Sequence, residues 1–556
     1  MGISQVLGTD PGTGAAGSTL FGRGRRSAWR VPVVVTLGVL PLYVVWALVL
    51  ATGGGDLAAQ LAWAGFASRH PGSAYNLSWY GGAHTANYSL LTPWLMAAFG
   101  VRTVSVAAGL CGTWLMALLF VRAEGARGGR GVWPAVLAAA ALWCNVVSGR
   151  TTFATGVVFA LAGCVLVQGL TRGAVGPAGE RRSRRRLVLA GVSSALATMA
   201  SPVAGLFLVV VAAAYALDRQ WGKAAVLGVP PCAVVGATTL LFPFEGEQPM
   251  ALGKVWMPLA VCAALLLAAP ASRTWRVVRL GSAVYAVGVV LTYLVASPVG
   301  TNVERLLGLA GPPVLLAAVL APGLGKVRRV VLVVVLLVSV NWLRDKTVDD
   351  IRVSTATPAW AVETDGLVGE LRRLGADRTR VEVVPARNHR EAAVLSAYVN
   401  TARGWNRQLD VERGRLFYDG SFSAGTYRAW LDRWAVGFVV LHDGLPDGPA
   451  TAEAALVRSR PEWLERVWGD AHWTVYRVRG AVPLVSAPGV VVRGDDASVV
   501  VRMPRAGSVT LRVAYSPWLR VDGGACLSRD GEFVRVAVRR AGVYRVGSSY
   551  RWGRGC

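Results

Sequence analysis

Gly53-Gly54-Gly55-Asp56-Leu57-Ala58-Ala59-Gln60, continued by Trp79-Tyr80-Gly81-Gly82-Ala83-His84-Thr85-Ala86-Asn87-Tyr88-Ser89, follows the first long apolar segment of the chain and carries one acid, Asp56. A carboxylate at the mouth of an apolar segment is costly to keep ionised beside lipid, so its position invites a functional reading. Asp is also a preferred helix N-cap, and three glycines before an apolar run suit a helix start. The rest of the chain must decide between these roles.

Working outward, the surroundings are those of a membrane protein. Of the 556 residues, 53% are hydrophobic and only 16% are charged, too apolar a balance for an ordinary soluble chain of this size. The net charge of +26 is carried almost wholly by arginine, the lysines being Lys223, Lys254, Lys326 and Lys346. Basic residues between apolar segments read as topology determinants, so no nucleic-acid partner is expected. Apolar segments fall at 31–50, 103–121, 132–148, 153–170, 187–200, 203–217, 224–242, 255–270, 280–297, 306–321 and 330–342. A straight span takes roughly 20 residues, and the set predicts eleven crossings.

The stretch 187–217 is one long helix or two short ones broken at Ser201-Pro202, because proline interrupts the backbone ladder. Loop charge favours two. Only then do Arg219/Lys223, Arg273/Arg276/Arg279 and Lys326/Arg328/Arg329 share a side with the N-terminal arginines and the 181–186 cluster. That side is cytoplasmic, where the cluster meets anionic membrane lipids. Asp56 and everything after residue 343 are then extracytoplasmic. The first external loop, 51–102, is long, and its apolar part 88–100 suits a helix lying in the interface. Residues 1–30, Gly/Ser/Thr-rich and then basic, read as a disordered cytoplasmic tail.

From 343 the composition changes to that of a folded aqueous domain. Helices are predicted at 358–374, 389–400 and 425–434, and strands at 380–384, 436–441 and 472–478, an α/β region over 343–481. Alternation at 509–513 and 534–538 predicts a small antiparallel β-domain over 482–556. Five of the seven cysteines lie in apolar segments, whereas Cys526 and Cys556 lie in this outer domain. A disulfide between those two is expected, contributing roughly 3 kcal/mol in an oxidising compartment.

The chemistry expected at the first loop is that of a base beside cations. Asp56 can deprotonate a hydroxyl, while Arg150 and Arg305 can hold a phosphate. Trp79, Tyr80, His84 and Tyr88 could bind sugar hydroxyls or stack on a sugar or polyprenyl face, although aromatics at this depth also form the ordinary interface belt. In the outer domain Asn388, His389, Arg403 and Trp405 are candidates for a polar acceptor, against a plain charged surface. No His/Cys/acid set has metal spacing and no serine nucleophile motif appears.

An acid soon after the first helix, some eleven spans and an external C-terminal domain resemble the GT-C superfamily of polyprenyl-phosphate-sugar-dependent glycosyltransferases. Gly55-Asp56-Leu57-Ala58-Ala59-Gln60, Tyr75-Asn76-Leu77-Ser78-Trp79-Tyr80-Gly81-Gly82, Gly300-Thr301-Asn302-Val303-Glu304-Arg305-Leu306, Arg387-Asn388-His389-Arg390-Glu391-Ala392 and the run from Ala402 to Asp410 are similar to a group of actinobacterial multispanning proteins. The expected fold is thus a polytopic α-helical, GT-C-like membrane protein with an extracytoplasmic α/β region and a small β-domain.

The resemblance implies inverting sugar transfer outside the membrane of the cell, from a polyprenyl-phosphate sugar to a cell-envelope glycan or lipid acceptor. Asp56 takes the base role by position. Many members carry paired acids and a divalent metal. Here Asp56 stands alone in its loop and Ser148-Gly149-Arg150 offers no second acid, so no metal is assigned. A transporter, a flippase for a lipid-linked substrate and a non-catalytic envelope assembly protein are the alternatives.

Overall fold

The computed structural model describes residues 18–124, 130–170 and 177–551. Fourteen helices, α1 to α14, precede the outer domains: Ser18–Val45, Asp56–Arg69, Thr85–Tyr88, Thr92–Phe99, Val101–Glu124, Val132–Val147, Thr151–Gln168, Pro177–Ala200, Pro202–Leu217, Trp221–Leu241, Trp256–Ala268, Arg273–Leu294, Glu304–Val319 and Lys326–Ser354. Each predicted apolar segment coincides with one of them, namely α1 and α5 to α14.

By length and composition five of these helices can cross a bilayer: Trp29–Leu50, Val101–Ala123, Thr151–Gln168, Trp221–Leu241 and Trp275–Leu294. Three shorter apolar helices are Val132–Val147, Pro202–Leu217 and Leu252–Ala268. The other three, α8, α13 and α14, fall outside both sets. Arginines fill the start of α8, Glu304-Arg305 opens α13, and charged residues flank the apolar part of α14. Many large apolar side chains face outward, Leu48, Leu240 and Val327 among the most exposed. Apolar surface on that scale is unfavourable in water and suits hydrocarbon.

The break at Ser201-Pro202 is present: α8 ends at Ala200, Ser201 is extended, and α9 begins at Pro202. The carbonyls released there find donors in the first loop. Ser89 Oγ donates to Ala200 O at 2.8 Å and Leu90 N to Met199 O at 2.9 Å. A proline break inside an apolar bundle is tolerated when freed backbone groups are satisfied in this way.

The C-terminal α/β region holds a four-stranded sheet in the order β3-β4-β6-β5 (Arg380–Val383, Val436–His442, Trp473–Val478, Leu464–Gly469). The first pair is parallel and the others antiparallel. Around it lie α15 to α19, Asp365–Arg373, Glu391–Val394, Arg407–Arg413, Ala424–Arg433 and Thr451–Ser459. The last domain contains strands β7 to β13, Val490–Gly494, Val499–Met503, Gly507–Leu511, Leu519–Val521, Cys526–Asp530, Phe533–Val538 and Gly542–Ser548. They form two antiparallel sheets, ordered β10-β13-β8-β7 and β11-β12-β9.

Several expectations change. Residues 18–30, assigned to the tail, extend α1, as arginine-rich sequence with good helix propensity permits; residues 1–17 lie outside the described part. The boundary at 342/343 is crossed by α14, which runs on to Ser354. The helix expected from 358 begins at Asp365, after Pro358 and a 3-10 turn. The helix expected over 389–400 shrinks to Glu391–Val394. His389 has φ 53°, which no right-handed helix accommodates, and Val381 N draws Asn400 O into a 2.8 Å bond beside the sheet.

The first loop is more than a connector. It carries α2, α3, α4 and the hairpin strands β1 (Tyr75–Asn76) and β2 (Ala83–His84). Tyr75 and Leu77 are buried in the core of the β-domain, so the first loop and that domain share one interior.

Candidate active site

The N-terminus of α2 is the centre of the site. Gly55, with φ 65°, is its N-cap, a left-handed conformation glycine adopts without strain. Asp56 therefore stands in the first turn and does not cap the helix. Gly149, with φ 73°, packs so closely on this turn that an added Cβ would lie 2.6 Å from Leu57 N. That contact places Arg150 beside Asp56, and Arg150 Nε donates to Asp56 Oδ2 at 3.1 Å. A second clamp comes from outside: Arg390 Nη2 donates to Thr52 Oγ1 and Ser354 O, each at 2.7 Å, and Gly55 N donates to Asn388 O at 2.7 Å.

The sequence offered no second acid here, and the fold supplies one. Because α14 continues past its apolar part, Asp350 reaches the same arginine, with Oδ2 3.9 Å from Arg150 Nη2 and bonded to Ser148 Oγ. Glu304 and Lys346 form a further ion pair nearby. The reading of Asp56 as an isolated acid is thus corrected: its companion is remote in sequence. Its signal was Lys346 and Asp350, four apart on one helical face just beyond the last apolar segment.

Electrostatics separates the two carboxyls. Burial acts to raise Asp56, but Arg150, Arg305 and His389 together hold it below its ordinary value of 3.8. Burial raises Asp350, and the charge of Asp56 adds to this against the pull of Arg150 and the Ser148 bond. Burial alone would lower Arg150, yet Asp56 and Asp350 keep its pKa above the usual arginine value. A charge close to an opposite charge is favoured in its ionised form, as the directions at Asp56 and Arg150 require, whereas at Asp350 burial prevails.

Asp56, Arg150, Asn302, Arg305, Tyr88 and Trp405 all line one cavity of about 1170 Å³. Its polar end also presents Ser148, Gln60, Lys346 and Asp350, while its other walls, from α9 and α10, include Val203, Leu206, Val209, Val234 and Val235. The outer domain closes over it with Trp405, Asn406, Arg407 and Gln408. Arg305 lies 5.4 Å from the Phe153 ring centroid and makes no salt bridge among the described residues.

Other candidates are placed elsewhere. Trp79 is buried against Trp63, and Tyr80 is buried with its hydroxyl donating to Gly404 O at 3.0 Å. His84 is buried, its Nε2 2.9 Å from Ser516 Oγ. These three join the loop to the outer domains and do not line the cavity. Such buried aromatics are recruited as glue because large side chains bury much area. Arg403 is enclosed by Glu382, Glu453 and Asp410, so it is a core residue of the α/β domain and not an acceptor contact. His389 is stacked on Trp405 with centroids 3.3 Å apart, and Asn388 Oδ1 accepts from Arg390 N at 3.3 Å. Cys526 is disulfide-bonded, the other described cysteines are free, and Cys556 lies outside the described residues.

The divalent metal common in the resembled family does not fit these side chains. The Nε/Nη2 edge of Arg150 already faces both carboxylates of the cluster. Among the described residues the one group with metal-compatible spacing is His70, Asp495 and Asp496, which is not part of the cavity wall.

Residues 486–526 match a domain of unknown function (DUF8823). No curated protein matches the sequence. Among solved structures, the chain is similar to a mutant of the arabinofuranosyltransferase AftD from mycobacteria, at 16% identity over 89% of this chain and 43% of that one, with a TM-score of 0.46. It thus spans less than half the length of that protein. It is also similar to ArnT from Cupriavidus metallidurans bound to undecaprenyl phosphate, at 14% identity, 81% and 98% coverage and a TM-score of 0.43. The oligosaccharyltransferase of Archaeoglobus fulgidus aligns at 10% identity, over 75% of this chain and 69% of that one, with a TM-score of 0.44.

Proposed function

We propose that this protein transfers a sugar from a polyprenyl-phosphate donor to a cell-envelope glycan or lipid acceptor on the extracytoplasmic side of the plasma membrane. In this reading all eleven apolar helices cross the bilayer and both outer domains face away from the cytoplasm. The observation that carries it is the cavity: Asp56 and Asp350 with two arginines, one of which makes no salt bridge among the described residues, at one end of an apolar-walled chamber. Such a chamber suits a ligand with a hydrocarbon chain and an anionic head.

Asp56 accepts the proton of an acceptor hydroxyl, whose oxygen forms a bond to the sugar C1 from the face opposite the phosphate. The C1–O bond breaks, its electron pair stays with the phosphate oxygen, and polyprenyl phosphate leaves. Arg150 and Arg305, with Asn302, hold that phosphate as its charge grows. The outer run Trp405 to Gln408, with His389 behind it, meets the acceptor.

The test replaces the chromosomal copy by Asp56→Asn and measures envelope glycan linkages together with turnover of polyprenyl-phosphate sugars by isolated membranes. Loss of one linkage and of turnover is expected. Wild-type linkages and turnover would overturn the reading.

A further inference from the structure

Two acids of the cavity have no role in the transfer chemistry: Glu304, which is paired with Lys346, and Asp350, which faces Arg150. Its Oδ2 accepts from Ser148 Oγ and lies 3.9 Å from Arg150 Nη2, while Arg150 Nε donates to Asp56 Oδ2 at 3.1 Å. Nε and Nη2 form one of the two guanidinium edges whose paired N–H groups can clasp a phosphate in a fork. In this structure Nε is bonded to Asp56, while Asp350 faces Nη2 from 3.9 Å. A donor phosphate that takes this edge therefore displaces Asp56.

The charged groups lining the cavity come from every side: Asp56 on α2, Arg150 on the turn before α7, Lys254 before α11, Glu304 and Arg305 on α13, Lys346 with Asp350 on α14, and Arg407 on α17. Asp56 and Asp350 are the acids that face Arg150, and each repels an arriving phosphodiester. Asp350 is held by Ser148 and faces Arg150 from 3.9 Å, so it stays in place when the bond from Arg150 to Asp56 is given up.

We propose that Asp350 is a positioning residue: it anchors Arg150 at the cavity while the guanidinium exchanges Asp56 for the donor phosphate, and the exchange frees Asp56 to take the acceptor's proton. The inference rests on the glycosyl-transfer reading of the same cavity. It predicts a trade. The charge of Asp350 opposes the phosphate and weakens its binding, while its hold on Arg150 raises turnover.

The experiment uses the full chain in detergent, with undecaprenyl phosphate as the binding probe and donor turnover as the second readout. Asp350→Asn is expected to bind undecaprenyl phosphate about fivefold tighter than wild type. Its kcat is expected to fall about tenfold or more. A role confined to folding would weaken binding and turnover together. Where Asp350→Asn fails to fold, Asp350→Glu decides: charge is kept and the anchor shifted, so affinity matches wild type while kcat falls. Asp350→Asn binding no tighter than wild type, or Asp350→Glu binding weaker, overturns the positioning role. Wild-type protein that does not bind undecaprenyl phosphate at all overturns the transfer reading itself.

Discussion

Arg150 and Arg403 each sit among carboxylates, and their surroundings differ. Arg403 is only 4% exposed and its partners Glu382 and Glu453 are fully enclosed, walled by Phe417 and Trp430, with Tyr427 donating to Glu453 at 2.8 Å. Arg150, Asp56 and Asp350 keep 28%, 32% and 36% of their side-chain surface open to a cavity. The same chemistry thus serves opposite ends. A buried charge cluster cannot change partners without stranding an ion in a low-dielectric interior, so it fixes one conformation. A half-open cluster can change partners without stranding a charge, as the proposed transfer requires.

That contrast can be broken at either pole. The largest stability effect is expected at the closed one: Arg403→Met leaves Glu382 and Glu453 uncompensated and costs about 3–5 kcal/mol. Thermal unfolding in detergent checks it, and a loss under about 1 kcal/mol would remove the distinction drawn here. At the open pole Asp56→Asn should lower turnover about 100-fold or more while leaving the unfolding midpoint near wild type. A matching loss of stability would place Asp56 with the structural ions instead.

Arg305→Gln comes next, with the apparent affinity for donor expected to fall about tenfold, since a charge-assisted bond contributes roughly 1.5–3 kcal/mol. An unchanged donor KM would move phosphate recognition to Arg150 alone.

A smaller effect concerns His84, which ties the loop to the β-domain. Burial holds its pKa at about 4, against an ordinary value of 6.5. The unfolded chain therefore takes up a proton that the folded one refuses, and stability falls as pH drops from about 6.5 towards 4. His84→Asn should flatten that part of the profile of melting temperature against pH. The smallest perturbation is Asp349→Cys, an exposed position on α14. Its thiol should react with an impermeant reagent in intact cells, and protection there would invalidate the extracytoplasmic placement of the site.

Much of this architecture is legible residue by residue. Apolar runs give the positions of α1 and α5 to α14 because an apolar stretch of that length satisfies its backbone groups within itself as a helix. The stop at Ser201-Pro202 follows from the missing proline N–H. The strand at 436–441 is visible from its β-branched run, and appears as Val436–His442. The helix over 389–400 is not legible, because the left-handed His389 and the pull of the sheet on Asn400 come from partners distant in sequence.

The site divides in the same way. Asp56, Arg150 and Arg305 were readable as a cation-flanked acid because each sits at an end of an apolar segment, where a charge is costly enough to stand out. Trp79, Tyr80, His84 and Arg403 carry equally suggestive chemistry, and only packing tells them from ligand contacts. Sequence by itself determined the helices, the loop that bears the acid and the change to aqueous domains, since these follow from local hydropathy and backbone chemistry. The tertiary structure alone decided that α14 returns Asp350 to Arg150, that Asp56 is not a cap and that Arg403 is sealed in a core. Those facts depend on how the chain packs, with partners 21 and 50 positions away for Arg403 and 202 apart for Ser148 and Asp350, and no local pattern encodes which charge a fold will bury and which it will leave open.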